Sequence, residues 1–227
     1  MTSRVVLSAC VALGLSLGAL GCQASSPHMA PGARSTIDAA HDQATVVFIR
    51  PAYYASSVKV TIVDEKGRYL GESLPESYFT VKMPPGEHLI VGFTDTTHAL
   101  KANLVAGKIY YVHVVANEDN WSPRFSLLGI TPRSKDYGHI DDWMAKASAF
   151  APDEKGGQEM LAKHHVDAEI LKGQAAIQHY DAKELEERTI LPDDGKIGTT
   201  PSATAPPSSG APAPVPEAAP STPAATP

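Results

Sequence analysis

Cysteine is almost missing from this chain of 227 residues, which has only Cys10 and Cys22. Both lie near the N-terminus, so the sequence after residue 22 carries no thiol. That part of the chain cannot form a disulfide, a thiolate metal site or a cysteine nucleophile. We therefore expect its fold to depend on a hydrophobic core.

An excess of basic charge is missing too, since 25 acidic residues outnumber 19 basic ones. An acidic protein lacks the basic surface that binds the phosphates of nucleic acid, so no nucleic-acid partner is expected. The sequence after residue 22 also lacks a phosphate-cradling glycine loop, a nucleophile elbow and the paired histidines of metal proteases. These absences favour a protein that is not an enzyme and needs no cofactor.

Residues 1–21 have the layout of an export signal. Arg4 precedes an apolar stretch over residues 5–20, and small residues then lead to Cys22. The apolar stretch is shorter than the roughly 20 residues that a membrane-spanning helix needs. Residues 19–22 resemble the lipobox of bacterial lipoproteins, in which the cysteine is lipidated and becomes the mature N-terminus. The sequence therefore predicts a signal peptide followed by a lipid anchor on Cys22.

Cys10 competes for this role, because residues 7–10 fit the consensus letters of the lipobox better than residues 19–22 do. Too few apolar residues precede Cys10 to engage the export machinery, so we favour Cys22. Gln23 after the cysteine resembles the pattern sorted to the outer membrane of Gram-negative cells. The expected location is therefore the outer membrane, with the domain facing the periplasm.

Composition divides the remaining chain into four segments. Residues 22–43 are rich in Ala, Ser, Pro and Gly, which predicts a flexible tether. Residues 44–131 contain short apolar runs between turn residues, which predicts a β-sandwich domain. Residues 132–195 are rich in helix formers and predict a helical extension. Residues 196–227 are mostly Pro, Ala, Ser and Thr and predict a disordered tail, either a solubilising appendage or a segment that reaches along the cell wall.

The β segment predicts an antiparallel sandwich of about seven to eight strands, immunoglobulin-like or transthyretin-like. Val58, Val60 and Ile62 alternate with polar residues, so that strand has one buried face. Residues 109–115 are apolar on both faces, which indicates a central strand whose outer side is covered. Turn residues at 64–67, 84–86 and 106–108 indicate hairpins. The candidate strands are residues 45–50, 58–64, 68–73, 77–83, 88–94, 99–105, 109–115 and 125–131.

Helices are predicted over residues 140–150 and 154–188, the longer one with a break near Gly173. Its apolar residues recur at spacings near three, four or seven and form a narrow stripe. Such a stripe packs on its own domain or, less commonly, on a partner. Its members are Leu161, Ala168, Leu171, Ala175, and Ala182 or Leu185.

The β segment resembles the DUF2846 family of bacterial lipoprotein domains, which has no assigned function. The matching stretches are residues 44–51, 69–72, 77–79, 84–88 and 106–112, in the family's order. The resemblance implies a small β-sandwich on a lipid anchor. It implies no activity and no catalytic residues.

A candidate binding face follows from counting strand reversals. If each connection reverses the direction of the chain, successive loops lie alternately at one end of the sandwich and at the other. One end then carries Tyr53, Tyr54 and Trp121, and the tether enters at the other end. Exposed Tyr and Trp are favoured at recognition surfaces because they bury much area with little loss of entropy. The alternative is that these rings fold back onto the core edge or the helices.

The histidines are the remaining reactive groups. His165 and Glu169 are four residues apart in a predicted helix, but a divalent metal needs three or four ligands, so no metal site is predicted. His113, in the central strand, is expected to be a packed or hydrogen-bonded histidine. The predicted function is a lipid-anchored envelope accessory module that binds a protein or glycan partner. The alternatives are a small-ligand or metal-binding lipoprotein, and an envelope-polymer hydrolase that pairs His98 or His113 with carboxylates.

Overall fold

The computed structural model describes residues 25–34, 37–119 and 122–197, and only the backbone of residues 117–119, 122 and 123. This part of the chain is mainly β, with two mixed sheets and a few short helices. The lipidation residue Cys22, Trp121 and the tail from residue 198 onward lie outside the described residues.

The first sheet, sheet A, has seven strands in the order β1-β10-β5-β2-β8-β12, with β9 also paired to β8. The pairs β2–β8 and β5–β10 are parallel, and the other pairs are antiparallel. The strands are β1 (Met29–Pro31), β2 (Ala44–Arg50), β5 (Ser77–Met83), β8 (Lys108–Asp119), β9 (Ser122–Ile130), β10 (Ser148–Pro152) and β12 (Lys196–Ile197).

The second sheet, sheet B, has five strands in the order β11-β7-β6-β3-β4. Only β7–β11 is parallel among its pairs. The strands are β3 (Val60–Val63), β4 (Tyr69–Ser73), β6 (Gly86–Phe93), β7 (Thr97–Leu104) and β11 (Thr189–Ile190).

The main core lies between the two sheets. Phe48 and Phe79 of sheet A stack there with ring centroids 4.9 Å apart, in one buried cluster with Ile62 and Leu100 of sheet B. Successive side chains of a strand point to opposite faces, so the alternating apolar residues of both sheets meet in this layer. The outer faces are covered by two smaller apolar clusters that include helical residues.

All eight predicted strands are present, and the prediction of a mainly β fold is confirmed. The prediction of an antiparallel, immunoglobulin-like or transthyretin-like sandwich is wrong in its pairing, because three strand pairs are parallel. Residues 64–67 form the predicted hairpin between β3 and β4. Residues 84–86 and 106–108 do not form hairpins, because β5 and β6, like β7 and β8, belong to different sheets.

The segment predicted as a flexible tether, residues 22–43, is partly built into the domain. β1 pairs with β10 at the edge of sheet A, and Met29 is only 4% exposed. The Sδ of Met29 accepts hydrogen bonds from the backbone N–H of Glu72 at 3.2 Å and from the Tyr69 hydroxyl at 3.5 Å. Buried contacts of this kind fix the chain to the sandwich from Ser26 onward.

The segment predicted as a helical extension contains four helices and also completes both sheets, through β10, β11 and the residues leading to β12. Its helices are α1 (Ile140–Lys146), α2 (Glu154–Leu161), α3 (Val166–His179) and α4 (Ala182–Glu187). The predicted helix over 140–150 gives way to β10 after Lys146. The predicted long helix is interrupted at 162–165 and 180–181, and α4 begins with a capping box between Asp181 and Glu184.

The apolar stripe predicted for the long helix is wrong beyond Leu161, since Ala168, Leu171 and Ala175 are exposed. Leu171 is 64% exposed. The packed face of α3 instead contains Val166, Ile170 and Ile177, and Gly173 lies between them. A Cβ on Gly173 would lie 2.9 Å from Cγ2 of Val91, so the glycine lets the helix approach sheet B rather than breaking it.

Candidate functional site

Arg50, the last residue of β2, organises the loop of residues 51–59 that follows it. Its side chain is fully buried, with 0% exposure. Its guanidinium donates to the carbonyl oxygens of Tyr54 and Ala55 at 2.8 Å each and of Val58 at 2.7 Å. Burial lowers the pKa of Arg50 to about 10, which leaves the group charged at neutral pH. The 51–59 loop is therefore held on a fixed cationic centre.

The 51–59 loop exposes two of the three residues predicted as a binding face. Tyr53 is 58% exposed and Tyr54 is 40% exposed, so neither ring folds back fully onto the core. Trp121 lies outside the described residues. Two non-glycine residues with positive φ lie at this end, Ala55 at 55° and Glu76 at 47°. Such conformations cost free energy and persist only where the surrounding structure imposes them.

The strand directions support the predicted sorting of loops onto two ends. Arg50 of β2 pairs with Ser77 of β5, so the 51–59 loop lies at the end where β4 passes into β5. The parallel pair β2–β8 brings the end of β8 to the same side. We call this the loop end of the sandwich.

The chain enters β2 at the end opposite the loop end, as predicted, because Ala44 pairs with Met83 and Gly107 donates to the carbonyl oxygens of Ala40 and Gln43. An earlier part of the predicted tether nevertheless lies elsewhere. The hydroxyl of Ser26 donates to a carboxylate oxygen of Glu72, and Glu72 is one residue from the end of β4. A second Glu72 oxygen lies 3.8 Å from Nζ of Lys59 in the 51–59 loop. Ser26 therefore lies beside the loop end. The sequence did not predict this contact because residues 22–43 read as a free tether.

A groove of about 570 Å³ lies on the outer face of sheet B, between α3 and strands β6 and β7. Ile177 and Leu191 contribute apolar surface. Lys101, Gln174 and Gln178 contribute a cation and two amides at the rim. Ligand sites commonly have this volume and this mixture of apolar walls with a few polar groups.

The polar groups of the groove come from distant parts of the sequence. Asn103 of β7 pairs in register with Glu87 of β6, and both line the groove. His88 bridges its floor, with Nδ1 at 3.4 Å from Oε2 of Glu65 and Nε2 at 2.9 Å from the carbonyl oxygen of Pro84. The groove therefore lies near the start of β6, away from the loop end. The sequence does not predict the groove, because single polar residues on strands and helices carry no signal that they converge in space.

His165 and Glu169 have the spacing of two metal ligands on one helix face, but the structure gives them different surroundings. His164 and His165 are exposed between α2 and α3. The carboxylate of Glu169 accepts a hydrogen bond from Nζ of Lys172 at 2.7 Å and another from the hydroxyl of Thr97. Within the described residues, no group of three His, Cys, Asp or Glu side chains is placed to hold a metal ion.

His113 is a packed and hydrogen-bonded histidine, as predicted. Its Nδ1 lies 2.9 Å from Oδ2 of Asp136, and its ring centroid lies 4.7 Å from that of Trp143 on α1. Burial lowers the pKa of His113, and the hydrogen bond to Asp136 opposes this shift without reversing it. The pKa of His98 is also lowered, by burial first and then by Arg188 and Arg124.

Both histidines make stability depend on pH. A histidine whose pKa is lower in the folded state binds fewer protons there than in the unfolded state, so stability rises with pH. We expect the free energy of unfolding to fall as pH drops below the ordinary histidine pKa of 6.5. Urea unfolding of wild type and of the His98→Asn/His113→Asn variant measures this, with His164→Asn as the control for removing an exposed histidine. An equally steep loss in the double variant would contradict the assignment.

The helices of the described part of the chain include none with the length and apolar character needed to cross a bilayer. Comparisons with family models, curated proteins and solved structures find no match for this chain. The resemblance to the DUF2846 domains therefore stays a prediction.

Proposed function

We propose that this protein is a lipid-anchored accessory protein of the cell envelope, whose β-sandwich is a non-catalytic module that binds a protein or glycan partner. The lipobox-like residues 19–22 supply the anchor, and Gln23 favours the outer membrane. The observation that carries the binding role is the groove between α3 and sheet B. It offers a cation, carboxylates and amides around apolar walls, which suits a polar polymer or peptide segment.

The position of the groove supports this role. Ser26, four residues after Cys22, lies beside the loop end, whereas Asn103 and Glu87 of the groove lie near the start of β6. On an anchored domain the groove then faces away from the membrane, where a partner can reach it.

Site-specific photocrosslinking in intact envelopes tests the binding role. A photoreactive amino acid replaces Gln178 at the groove or, as the control, Lys183 on α4, whose side chain is exposed and outside the groove. We expect crosslinks to one defined partner from position 178 and none from position 183. Substitution of Asn103 by Ala should weaken the crosslink from position 178. Equal products from both positions would contradict the groove as the binding site.

Fractionation tests the anchor separately. We expect the wild-type protein in the outer-membrane fraction and the Cys22→Ala variant about tenfold or more depleted from it, because a lipid chain dominates membrane affinity. Cys10→Ala is the matched control and should change nothing. Retention of the Cys22→Ala variant in the membrane would contradict lipid anchoring at this residue.

A further inference from the structure

The described chain begins very close to the residue proposed to carry the lipid. Ser26 is 8% exposed and hydrogen-bonded to Glu72, so it belongs to the rigid sandwich. Only four residue steps separate it from Cys22, and an extended chain covers at most about 14 Å over that distance. A lipid on Cys22 therefore holds the bilayer surface against the part of the sandwich from which Ser26 emerges.

That part of the sandwich is next to the 51–59 loop. Glu72 links the two, because one of its carboxylate oxygens accepts from the hydroxyl of Ser26 and the other lies 3.8 Å from Nζ of Lys59. The loop end consequently comes to the membrane together with the anchor.

The exposed chemistry of the 51–59 loop suits a lipid headgroup layer. Tyr53 and Tyr54 are amphipathic, and tyrosine is enriched where membrane meets water, with its ring toward the acyl chains and its hydroxyl toward water. Lys59 is partly exposed and can approach anionic headgroups. Glu76 at the same end carries a negative charge, which offsets the charge of Lys59. Binding of this loop to the lipid surface must therefore come mainly from the tyrosine rings and not from net charge.

The loop is also pre-organised for contact. Arg50 binds the carbonyl oxygen of Tyr54 itself and those of Ala55 and Val58, which follow it in the loop. A fixed loop loses little conformational entropy when it meets a surface.

We propose that the 51–59 loop rests on the lipid surface beside the anchor, with Tyr53 and Tyr54 in the headgroup layer as a second membrane contact. This proposal rests on the anchoring at Cys22. Its consequence is a fixed orientation of the domain, with the groove of sheet B directed away from the bilayer.

A spin label tests the contact directly, because the chain after Cys22 contains no other cysteine. Full-length lipidated protein with Ala52→Cys in the loop, or Gln178→Cys at the groove as the control, is labelled with a nitroxide and reconstituted in vesicles of phosphatidylethanolamine and phosphatidylglycerol. We expect collisions with a water-soluble nickel relaxant to be several-fold fewer at position 52 than at position 178. Equal accessibility in protein that floats with the vesicles would overturn the membrane contact and leave the anchor intact.

Two further variants identify what occupies the loop. Tyr53→Ser/Tyr54→Ser should raise the accessibility of the label at position 52, whereas Leu171→Ser, which removes another exposed apolar side chain, should not. Shielding at position 52 in native envelopes but not in pure lipid vesicles would assign the loop to a protein partner and overturn the proposal. If mass spectrometry finds no lipid on Cys22 and the protein does not float, both this proposal and the anchored function fail.

Discussion

Replacement of Arg50 by Met is expected to lower the free energy of unfolding by about 3–5 kcal/mol. The guanidinium is buried and donates to three carbonyl oxygens of the 51–59 loop at 2.7–2.8 Å. It also lies 4.8 Å from the centroid of the Phe125 ring. Methionine fills similar volume but leaves these acceptors without a donor, and buried unpaired carbonyls are costly.

Urea unfolding followed by circular dichroism measures this loss, and the chain provides a matched control. Arg34 also donates to backbone carbonyls, those of Ala145 at 2.7 Å and Ala147 at 2.9 Å, but Arg34 itself is exposed. Water can replace its hydrogen bonds, so Arg34→Met is expected to cost less than about 1 kcal/mol. The loss of stability in Arg50→Lys should lie between those of Arg34→Met and Arg50→Met, because lysine keeps the charge but cannot reach several carbonyl oxygens at once. Equal losses at positions 34 and 50 would contradict the organising role of Arg50.

The same variant connects stability to the membrane proposal. Without Arg50 the 51–59 loop loses the centre that fixes Tyr54 and Ala55. We then expect the spin label at position 52 to become more mobile and more accessible to water, while the label at position 178 changes little. A loop that keeps its shielding in the Arg50→Met variant would show that pre-organisation is not needed for the contact.

The strands were predictable because their apolar residues alternate locally. Residues 77–83 show this alternation and residues 45–50 are instead a short continuous apolar run, and both were placed within one residue of their observed bounds. The pairing of these strands was not predictable, because turn residues at 84–86 and 106–108 serve equally well in a hairpin and in a crossing between sheets. Which strands pair depends on which strand faces meet in the core, and that is a property of the whole chain.

Four strands escaped prediction, β1, β10, β11 and β12, and the first two show a physical reason. Met29–Pro31 and Ser148–Pro152 have no strong β pattern, and the helix predicted over residues 140–150 overlaps the second. β1 pairs with β10, and β10 also pairs with β5, so tertiary pairing outweighs their local preference. Missing β1 also made residues 22–43 look like one long free tether, whereas the chain is already fixed to the domain at Ser26.

The candidate sites show the same division. Residue type and position, which are local, predicted that Tyr53 and Tyr54 lie in a loop between two strands, but they left open whether the rings are exposed or fold back onto the core. The buried role of Arg50 did not, because a charged residue at a strand end is usually solvated. The groove joins Lys101 on β7 to Gln178 on α3, and no spacing in the sequence predicts that they converge.

Gly71→Ala is expected to lower the free energy of unfolding by about 3–5 kcal/mol, through two additive effects. Gly71 lies in β4 with φ at 153°, a conformation that side chains rarely adopt. A Cβ there would also lie 2.5 Å from Cε2 of Phe79, whose ring is 1% exposed and stacked on Phe48 in the main core. At this distance the ring, the strand or both must shift, and a shift of the ring disturbs its stacking on Phe48.

Gly86→Ala separates the two effects. Gly86 has φ at 123°, but a Cβ there would meet nothing within 4 Å. Gly86→Ala should therefore lower the free energy of unfolding only through the strain of a positive φ, by about 1–2 kcal/mol. Urea unfolding midpoints of both variants give the comparison, and the difference between them measures how tightly Phe79 closes the core over β4. If both variants lose the same stability, the close approach of β4 to Phe79 contributes nothing, and the edge of sheet B that holds Glu72 and the anchor-proximal chain is more loosely packed than its geometry indicates.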